Sequence, residues 1–205
     1  GVITYLRTDS TRISEEADAA ARSYIAETYG EAYVAEGTKT KSADKKIQDA
    51  HEAIRPTDIT RTPAAIKDSL SRDQFRLYQL IWKRFAASRM ANAQYTTTSV
   101  KIDAAGYRFH VSASKKKFDG FMAVYVQDEE EKGEGNLLVK EISSETQLNF
   151  KSFEEKQYFT QPPAHYTEAA LVKTLEELGI GRPSTYAPTI TTIINRGYVV
   201  KQNRD

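Results

Sequence analysis

Apolar residues in the N-terminal part of the chain recur at helical spacing. Ser14 is a suitable N-cap and Gly30 a suitable C-terminal stop, so a helix is expected between them. Short helices are expected after Thr62 and immediately before Pro56. Ser71 opens a longer helix, whose apolar residues recur three and four positions apart and so form one buried stripe: Phe75, Tyr78, Trp82 and Phe85.

The period changes from 3.6 to 2 after about residue 92. Alternating residues on both sides of Ala105 and Gly106 predict a β-hairpin, because those two residues suit a tight turn. Further strands are expected at 121–127, 137–142 and 147–151, with an acidic loop over 128–134.

Helical spacing returns near the C-terminus. One helix is expected from Thr167 to Gly179, with Leu171, Leu175 and Leu178 on one side. Ser184 is expected to cap a second helix that Gly197 ends before a strand-like Tyr198 to Val200. The chain is thus predicted to be α+β, with a helical segment over 1–92, a β-rich segment over 93–158 and a helical segment over 159–205.

Composition narrows the possible chemistry. The absence of cysteine excludes thiol catalysis and Cys-ligated metal centres, and three dispersed histidines disfavour a transition-metal site. Phosphate-binding and dinucleotide-binding glycine motifs are missing, so nucleotide hydrolysis has no support. No apolar run is long enough to span a membrane. Residues 61–118 carry 12 basic and 3 acidic side chains, a net charge of +9. This charge suits a polyanion, although a solvated helix face would explain it as well.

Tyr5 and Arg7 form the first candidate site. If residues 4–7 are extended, the two side chains share one face of the strand. A phenol with a pKa near 10 needs a neighbouring cation or base to act as a nucleophile, and arginine can also grip a phosphate. Ordinary packing of a tyrosine beside an arginine is the alternative.

His51 and Arg55 form the second candidate site. On a helix they would be i,i+4 neighbours facing the same way, which suits a phosphate clamp or a proton relay. The alternative is a helix end whose side chains bond to backbone carbonyls.

Residues 179–186 form the third candidate site. Two glycines, an arginine and two hydroxyl side chains precede a predicted helix start, where free backbone N–H groups and the helix dipole favour an anion. The same outline of helix, turn, helix and strand is typical of a winged-helix DNA reader. A well-capped helical hairpin without a ligand is the third possibility.

Taken together, three motifs resemble those of the bacterial DNA topoisomerase I family of type IA enzymes. They are ITYLRTDSTRIS, HEAIRPT and FTQPPAHYTEAALVKTLEELGIGRPSTYAPTITTIINRGYV, in that order. The resemblance is strong over about 1–14, 50–57 and 159–200. One departure is His165, which stands where the family usually has arginine.

The resemblance implies an ATP-independent isomerase that cleaves one DNA strand through a 5′-phosphotyrosine, passes a strand and religates, so that negative supercoils are relaxed. Tyr5 would be the nucleophile and Arg7 would stabilise the scissile phosphate. The resemblance implies DNA contacts at seven further residues: His51, Arg55, Thr167, Lys173, Arg182, Ser184 and Thr185. Its substrates would be single-stranded and negatively supercoiled DNA, in the bacterial cytoplasm at the nucleoid.

The family's Toprim domain, which binds Mg²⁺ and supplies the acid–base glutamate, has no counterpart in these 205 residues. The sequence is therefore interpreted as a central fragment, whose metal ligands lie elsewhere in the full-length enzyme and which is expected to be inactive alone. The first alternative is a non-catalytic winged-helix module that binds DNA through residues 167–200, with Tyr5 as a core residue. The second is a purely structural segment with a salt-stabilised surface.

Overall fold

The computed structural model places the chain in two compact units, Gly1–Leu148 and Asn149–Asp205. It describes residues 1–6, 10–37, 51–126, 146–147, 149–152 and 154–202. Helices and strands occur together, as the α+β prediction requires. Their order is α1 (Glu15–Tyr29), a 3-10 turn (Glu31–Tyr33), α2 (Pro63–Ile66), a 3-10 turn (Lys67–Ser69), α3 (Arg72–Ser88), β1 (Gln94–Ala104), β2 (Tyr107–Phe118), a 3-10 turn (Gly120–Ala123), α4 (Glu168–Glu177) and α5 (Pro183–Asn195).

The two long helices of the first unit begin at residues with capping side chains. The Ser14 hydroxyl accepts from the Ala17 N–H at the start of α1. Ser71 and Gln74 form a reciprocal capping box at the start of α3, which satisfies two N–H groups that the helix leaves unpaired. Both predicted helix starts are confirmed.

The core of the first unit lies between α1, α3 and the segment around Ile59. Its buried residues are Ala21, Ile59, Tyr78, Trp82, Phe85 and Ala86. The Trp82 indole donates to the Ile59 carbonyl at 2.9 Å and meets the Tyr24 ring edge to face. Three residues of the stripe that the sequence predicts on α3 pack into this core, Tyr78, Trp82 and Phe85, whereas Phe75 is only half-buried and is not part of it.

A polar clamp joins α1 to the end of α3. The Asp18 carboxylate accepts from the guanidinium groups of Arg22 and Arg89, each at 2.8 Å. Arg22 also donates to the Ala35 carbonyl at 2.8 Å. The chain after α1 and the chain after α3 are therefore held to the same carboxylate.

Strands β1 and β2 pair antiparallel, with one irregularity in register between Gln94 and Tyr95, and this pairing confirms the predicted hairpin. At the turn, Ala105 and Gly106 have φ angles of 50° and 83°, as the favoured two-residue hairpin turn requires. Gly120 follows the hairpin with φ of 50°, and a Cβ there would lie 2.4 Å from the Ala91 carbonyl oxygen. Only glycine therefore allows the chain after β2 to approach the end of α3 so closely.

The second unit contains α4 and α5. Thr167 caps α4 by accepting from the Ala170 N–H at 3.1 Å. At the end of α4, the Ile180 N–H donates to the Leu175 carbonyl and the Gly179 N–H to the Glu176 carbonyl. This pair of bonds is a Schellman motif, so Gly179 ends the helix as the sequence predicts.

The strands predicted at 121–127 and 147–151 are wrong within the described residues. Residues 120–123 form a 3-10 turn and 147, 149, 150 and 151 are irregular. The short apolar run at 121–124 does not alternate, and Val124 packs against the core instead. The strand predicted at 137–142 and the acidic loop at 128–134 lie outside the described residues.

Two predictions about α5 are also wrong. The N-cap is Arg182 rather than Ser184, because Pro183 occupies the first helical position. Tyr198 to Val200 form no strand, since the Tyr198 N–H donates to the Ile193 carbonyl as part of the helix end. The winged-helix outline therefore lacks its strand in the described residues. No helix in the described ranges is long and apolar enough to cross a membrane.

Candidate active site around Tyr5

Residues 1–4 are extended and lie antiparallel to residues 55–57. The Thr4 N–H donates to the Arg55 carbonyl at 2.9 Å, and the Thr57 N–H donates to the Val2 carbonyl at 3.1 Å. Ile3 and Pro56 face each other between these bonds. The first and second candidate sites, some 50 positions apart in the sequence, are therefore neighbours in the structure.

The side chains of Thr4 and Tyr5 have opposite environments. The Thr4 hydroxyl donates to the Ala53 carbonyl at 2.9 Å and accepts from the Arg55 N–H at 3.0 Å. Tyr5 is 82% exposed. Successive side chains of an extended segment lie on opposite faces, so the inward position of Thr4 turns the Tyr5 phenol outward. Arg7, the predicted partner of Tyr5, lies outside the described residues, and its role stays a prediction.

The helix predicted to carry His51 and Arg55 is not present at these positions. Residues 51–55 are irregular, so the two side chains do not share a helical face. The His51 carbonyl instead accepts from the Ser10 hydroxyl at 2.9 Å and from the Arg12 guanidinium at 3.3 Å. This irregular segment is therefore held by long-range hydrogen bonds from Ser10 and Arg12.

Arg55 and Glu52 form a partly buried ion pair within the segment that hydrogen-bonds to residues 1–4. The Arg55 guanidinium donates to the two carboxylate oxygens at 3.2 and 3.0 Å, and to the Pro56 carbonyl at 3.0 Å. Only 13% of the Arg55 side chain is exposed. The described contacts of this guanidinium are thus intramolecular, and a DNA contact by Arg55 stays a prediction.

The Glu52 carboxylate also holds the start of α1. It accepts from the Ser14 N–H at 2.7 Å. Burial favours the neutral acid, but the hydrogen bonds from Ser14 and Arg55 outweigh it and lower the pKa of Glu52 below its usual range. Sequence reasoning missed Thr4 and Glu52, since neither has a local pattern that indicates its partners.

The third candidate site surrounds the start of α5. The Arg182 N–H donates to the Thr185 hydroxyl at 2.8 Å, and the Thr185 N–H returns a bond to the Arg182 carbonyl at 2.8 Å. The Arg182 guanidinium donates to the Gly181 carbonyl at 3.0 Å. Arg182, Ser184 and Thr185 are all exposed, so this helix start is open to a ligand.

The other two predicted DNA-binding residues are the N-cap of α4 and a lysine on that helix. Thr167 uses its hydroxyl as the helix cap, and Lys173 is exposed with its amine 3.8 Å from the Glu177 carboxylate. The predicted residues thus fall into two groups. Tyr5, His51 and Arg55 belong to the first unit, and the other five belong to the second: Thr167, Lys173, Arg182, Ser184 and Thr185.

Magnesium is the cofactor that the resemblance implies. Among the described residues, no group of three or more His, Asp or Glu side chains could hold a metal ion. The Mg²⁺ ion of the full-length enzyme, with ligands outside these 205 residues, therefore stays a prediction.

Comparison with known proteins gives a consistent result over the whole chain. A family model described as DNA topoisomerase matches residues 1–205. The chain is also similar to the structure of full-length topoisomerase I from Thermotoga maritima, with 39% sequence identity and a TM-score of 0.70. This match covers 98% of the present chain and 32% of that protein, so the chain spans about a third of its relative.

Proposed function

The chain belongs to the bacterial DNA topoisomerase family, and we propose that it supplies the nucleophile, Tyr5, of a type IA topoisomerase. In the proposed reaction, the Tyr5 phenol gives up its proton, and its oxygen attacks a phosphodiester of one DNA strand. The new tyrosine–phosphorus bond holds the 5′ end, the bond from phosphorus to the 3′ oxygen breaks, and this oxygen takes up a proton. Attack by the same 3′-hydroxyl reverses the step, so the strand is resealed without ATP.

The observation that carries this proposal is the exposed Tyr5 beside a fixed backbone. The phenol is 82% exposed and can reach a phosphate on a DNA strand that lies on the surface. Exposure alone is not distinctive, because Tyr158 is 83% exposed. Tyr5 differs because the residue before it, Thr4, is hydrogen-bonded to Ala53 and Arg55: its side chain bonds to both, and its backbone N–H bonds to Arg55.

Activation of the phenol requires further groups. An unperturbed phenol has a pKa of about 10 and is mostly protonated at neutral pH, so a cation near the oxygen or a base must favour the phenolate. We assign the cationic role to Arg7, two residues after Tyr5, as the sequence motif implies. A guanidinium there would also offset the charge that builds up on the phosphate during attack.

The start of α5 is proposed to hold the single strand through its phosphates. The exposed Arg182 guanidinium, the Ser184 and Thr185 hydroxyls and the positive end of the helix dipole are all suited to an anion. Lys173 adds a second exposed cation on α4. These contacts would be to the DNA backbone, so they would bind many sequences with a similar affinity.

The experiment compares Tyr5→Phe with Tyr158→Phe in a full-length topoisomerase in which this chain replaces the matching third. Tyr5→Phe should abolish the 5′ covalent adduct, while single-strand affinity stays within about 1 kcal/mol because only one hydroxyl is lost. Tyr158→Phe is the matched control for an equally exposed phenol and should cleave normally. A covalent adduct that persists in Tyr5→Phe would refute the proposal.

A further inference from the structure

The Thr4 hydroxyl both donates and accepts a hydrogen bond, so this side chain does more than fill space. It donates to the Ala53 carbonyl at 2.9 Å and accepts from the Arg55 N–H at 3.0 Å, while the Thr4 N–H donates to the Arg55 carbonyl at 2.9 Å. Three hydrogen bonds therefore fix the residue that precedes Tyr5. Their partners lie 49 and 51 positions away along the chain, so the bonds define tertiary rather than local structure.

The segment that Thr4 binds is itself fixed. Arg55 is paired with Glu52, and Glu52 accepts from the Ser14 N–H at the start of α1. Helix α1 packs into the core through Ala21. A continuous series of contacts therefore runs from the core to Thr4, and it ends one residue before the exposed phenol.

We infer that Thr4 is a positioning residue for the Tyr5 nucleophile, an inference that rests on the proposed function. Attack on phosphorus requires the phenolic oxygen to be within about 3.5 Å of the reacting atom and aligned with the bond that breaks. Tyr5 is too exposed for packing to hold its ring in place. The position of the Tyr5 side chain is therefore determined by the backbone that Thr4 fixes. The Thr4 hydroxyl is engaged by Ala53 and Arg55, and so it acts through Tyr5 rather than on the DNA.

Three variants in the full-length topoisomerase described above test this inference. Thr4→Val keeps the shape and the preference for extended backbone but removes both side-chain hydrogen bonds. Thr4→Ser keeps the hydroxyl and should rescue the reaction. Thr57→Val is the matched control, because the Thr57 hydroxyl donates to the Gly1 carbonyl at 3.1 Å across the same pair of segments, but away from Tyr5.

The measurement is single-turnover cleavage of a saturating single-stranded oligonucleotide, together with its affinity. A displacement of about 1 Å can cost up to a hundredfold in rate, so Thr4→Val should cleave roughly tenfold to a hundredfold more slowly. Thr4→Ser and Thr57→Val should stay within about threefold of the parent, and the affinity of every variant should stay within about twofold, because no DNA contact is lost.

Fluorescence of Trp82, the one tryptophan of this chain, in a background without other tryptophans reports the folded fraction of the unit that contains Thr4. Normal cleavage by Thr4→Val would overturn the inference. A loss of cleavage rate in Thr4→Val that is explained by a lower folded fraction would also overturn it. An equal loss of rate in Thr57→Val would do the same. If Tyr5→Phe retains the adduct, the proposed function fails as well. If Tyr5→Phe is inactive while Thr4→Val is normal, the inference alone fails.

Discussion

Replacing Asp18 by asparagine should measure how strongly the polar clamp joins α1 to α3. Asparagine has nearly the same shape as aspartate but carries no charge. In the native chain the carboxylate accepts from Arg22 and Arg89 at 2.8 Å each. The substitution leaves two guanidinium groups that have lost their anion, on side chains that are 24% and 16% exposed.

The expected cost follows from the number and exposure of these bonds. A hydrogen bond to a charged group contributes about 1.5–3 kcal/mol when shielded from water, whereas an exposed ion pair contributes about 0–1 kcal/mol. The Asp18 bonds lie between these limits, so the loss of both charge-assisted bonds should cost about 2–3 kcal/mol. For a chain of this size the corresponding decrease in Tm is roughly 4–12 °C.

The effect should depend on pH in a defined direction. Burial favours protonated Asp18, but the hydrogen bonds and charges of Arg89 and Arg22 outweigh it and lower the pKa of the carboxyl from its usual 3.8. A group whose folded pKa is lowered contributes stability above its unfolded pKa. The native chain should therefore exceed Asp18→Asn in free energy of unfolding by the full amount above about pH 5. This difference should decline as the pH falls below 3.8.

Urea denaturation followed by Trp82 fluorescence measures this difference, because the single tryptophan lies in the core beside α1. Asp103→Asn is the matched control. Asp103 pairs with Arg108 at 2.7 Å, but their side chains are 68% and 64% exposed, so water screens the pair and its loss should destabilise the chain much less than the loss of Asp18. An equal cost for both variants, or an Asp18→Asn cost that is unchanged from pH 7 to pH 3, would refute the reasoning.

Two further predictions concern the chain after the hairpin and the start of α5. Gly120→Ala should destabilise the first unit by roughly 2–5 kcal/mol, since its Cβ would collide with the Ala91 carbonyl at a positive φ. Gly106→Ala, which meets open space, should cost only about 1–2 kcal/mol, and equal losses of Tm would contradict this. Arg182→Ala in the full-length enzyme should weaken single-strand binding about tenfold without loss of helicity, because the Arg182 backbone forms the cap. Arg196→Ala, at the other end of α5, is the control. An equal loss of affinity in that variant would indicate that binding depends on overall positive charge and not on the position of Arg182.

The sequence predicted well the elements that local residues determine. Ser14 and Ser71 cap α1 and α3 through bonds that span three residues, so the pattern alone was sufficient. The turn at Ala105 and Gly106 is equally local. The predicted cap of α5 at Ser184 is wrong, although the sequence carries a local signal for the correct position, because proline is favoured at the first position of a helix and Pro183 occupies it.

The candidate site was less predictable because its contacts are long-range. The i,i+4 spacing of His51 and Arg55 predicts a helix, but that segment is irregular and forms hydrogen bonds with Ser10, Arg12 and Thr4. No pattern near Thr4 indicates a partner about 50 residues away. The identity of the motif as a topoisomerase segment could be predicted, whereas the pairing that orients Tyr5 required the structure.

The central claim is that Tyr5, among the 12 tyrosines of the chain, forms the covalent bond to DNA. The most direct measurement traps the cleaved complex of the full-length topoisomerase with an oligonucleotide, digests the protein and DNA, and identifies the modified peptide by mass spectrometry. We predict a nucleotide attached to the phenolic oxygen of Tyr5, in the peptide that contains Ile3 to Leu6. A nucleotide on any other residue, with Tyr5 unmodified, would contradict the account.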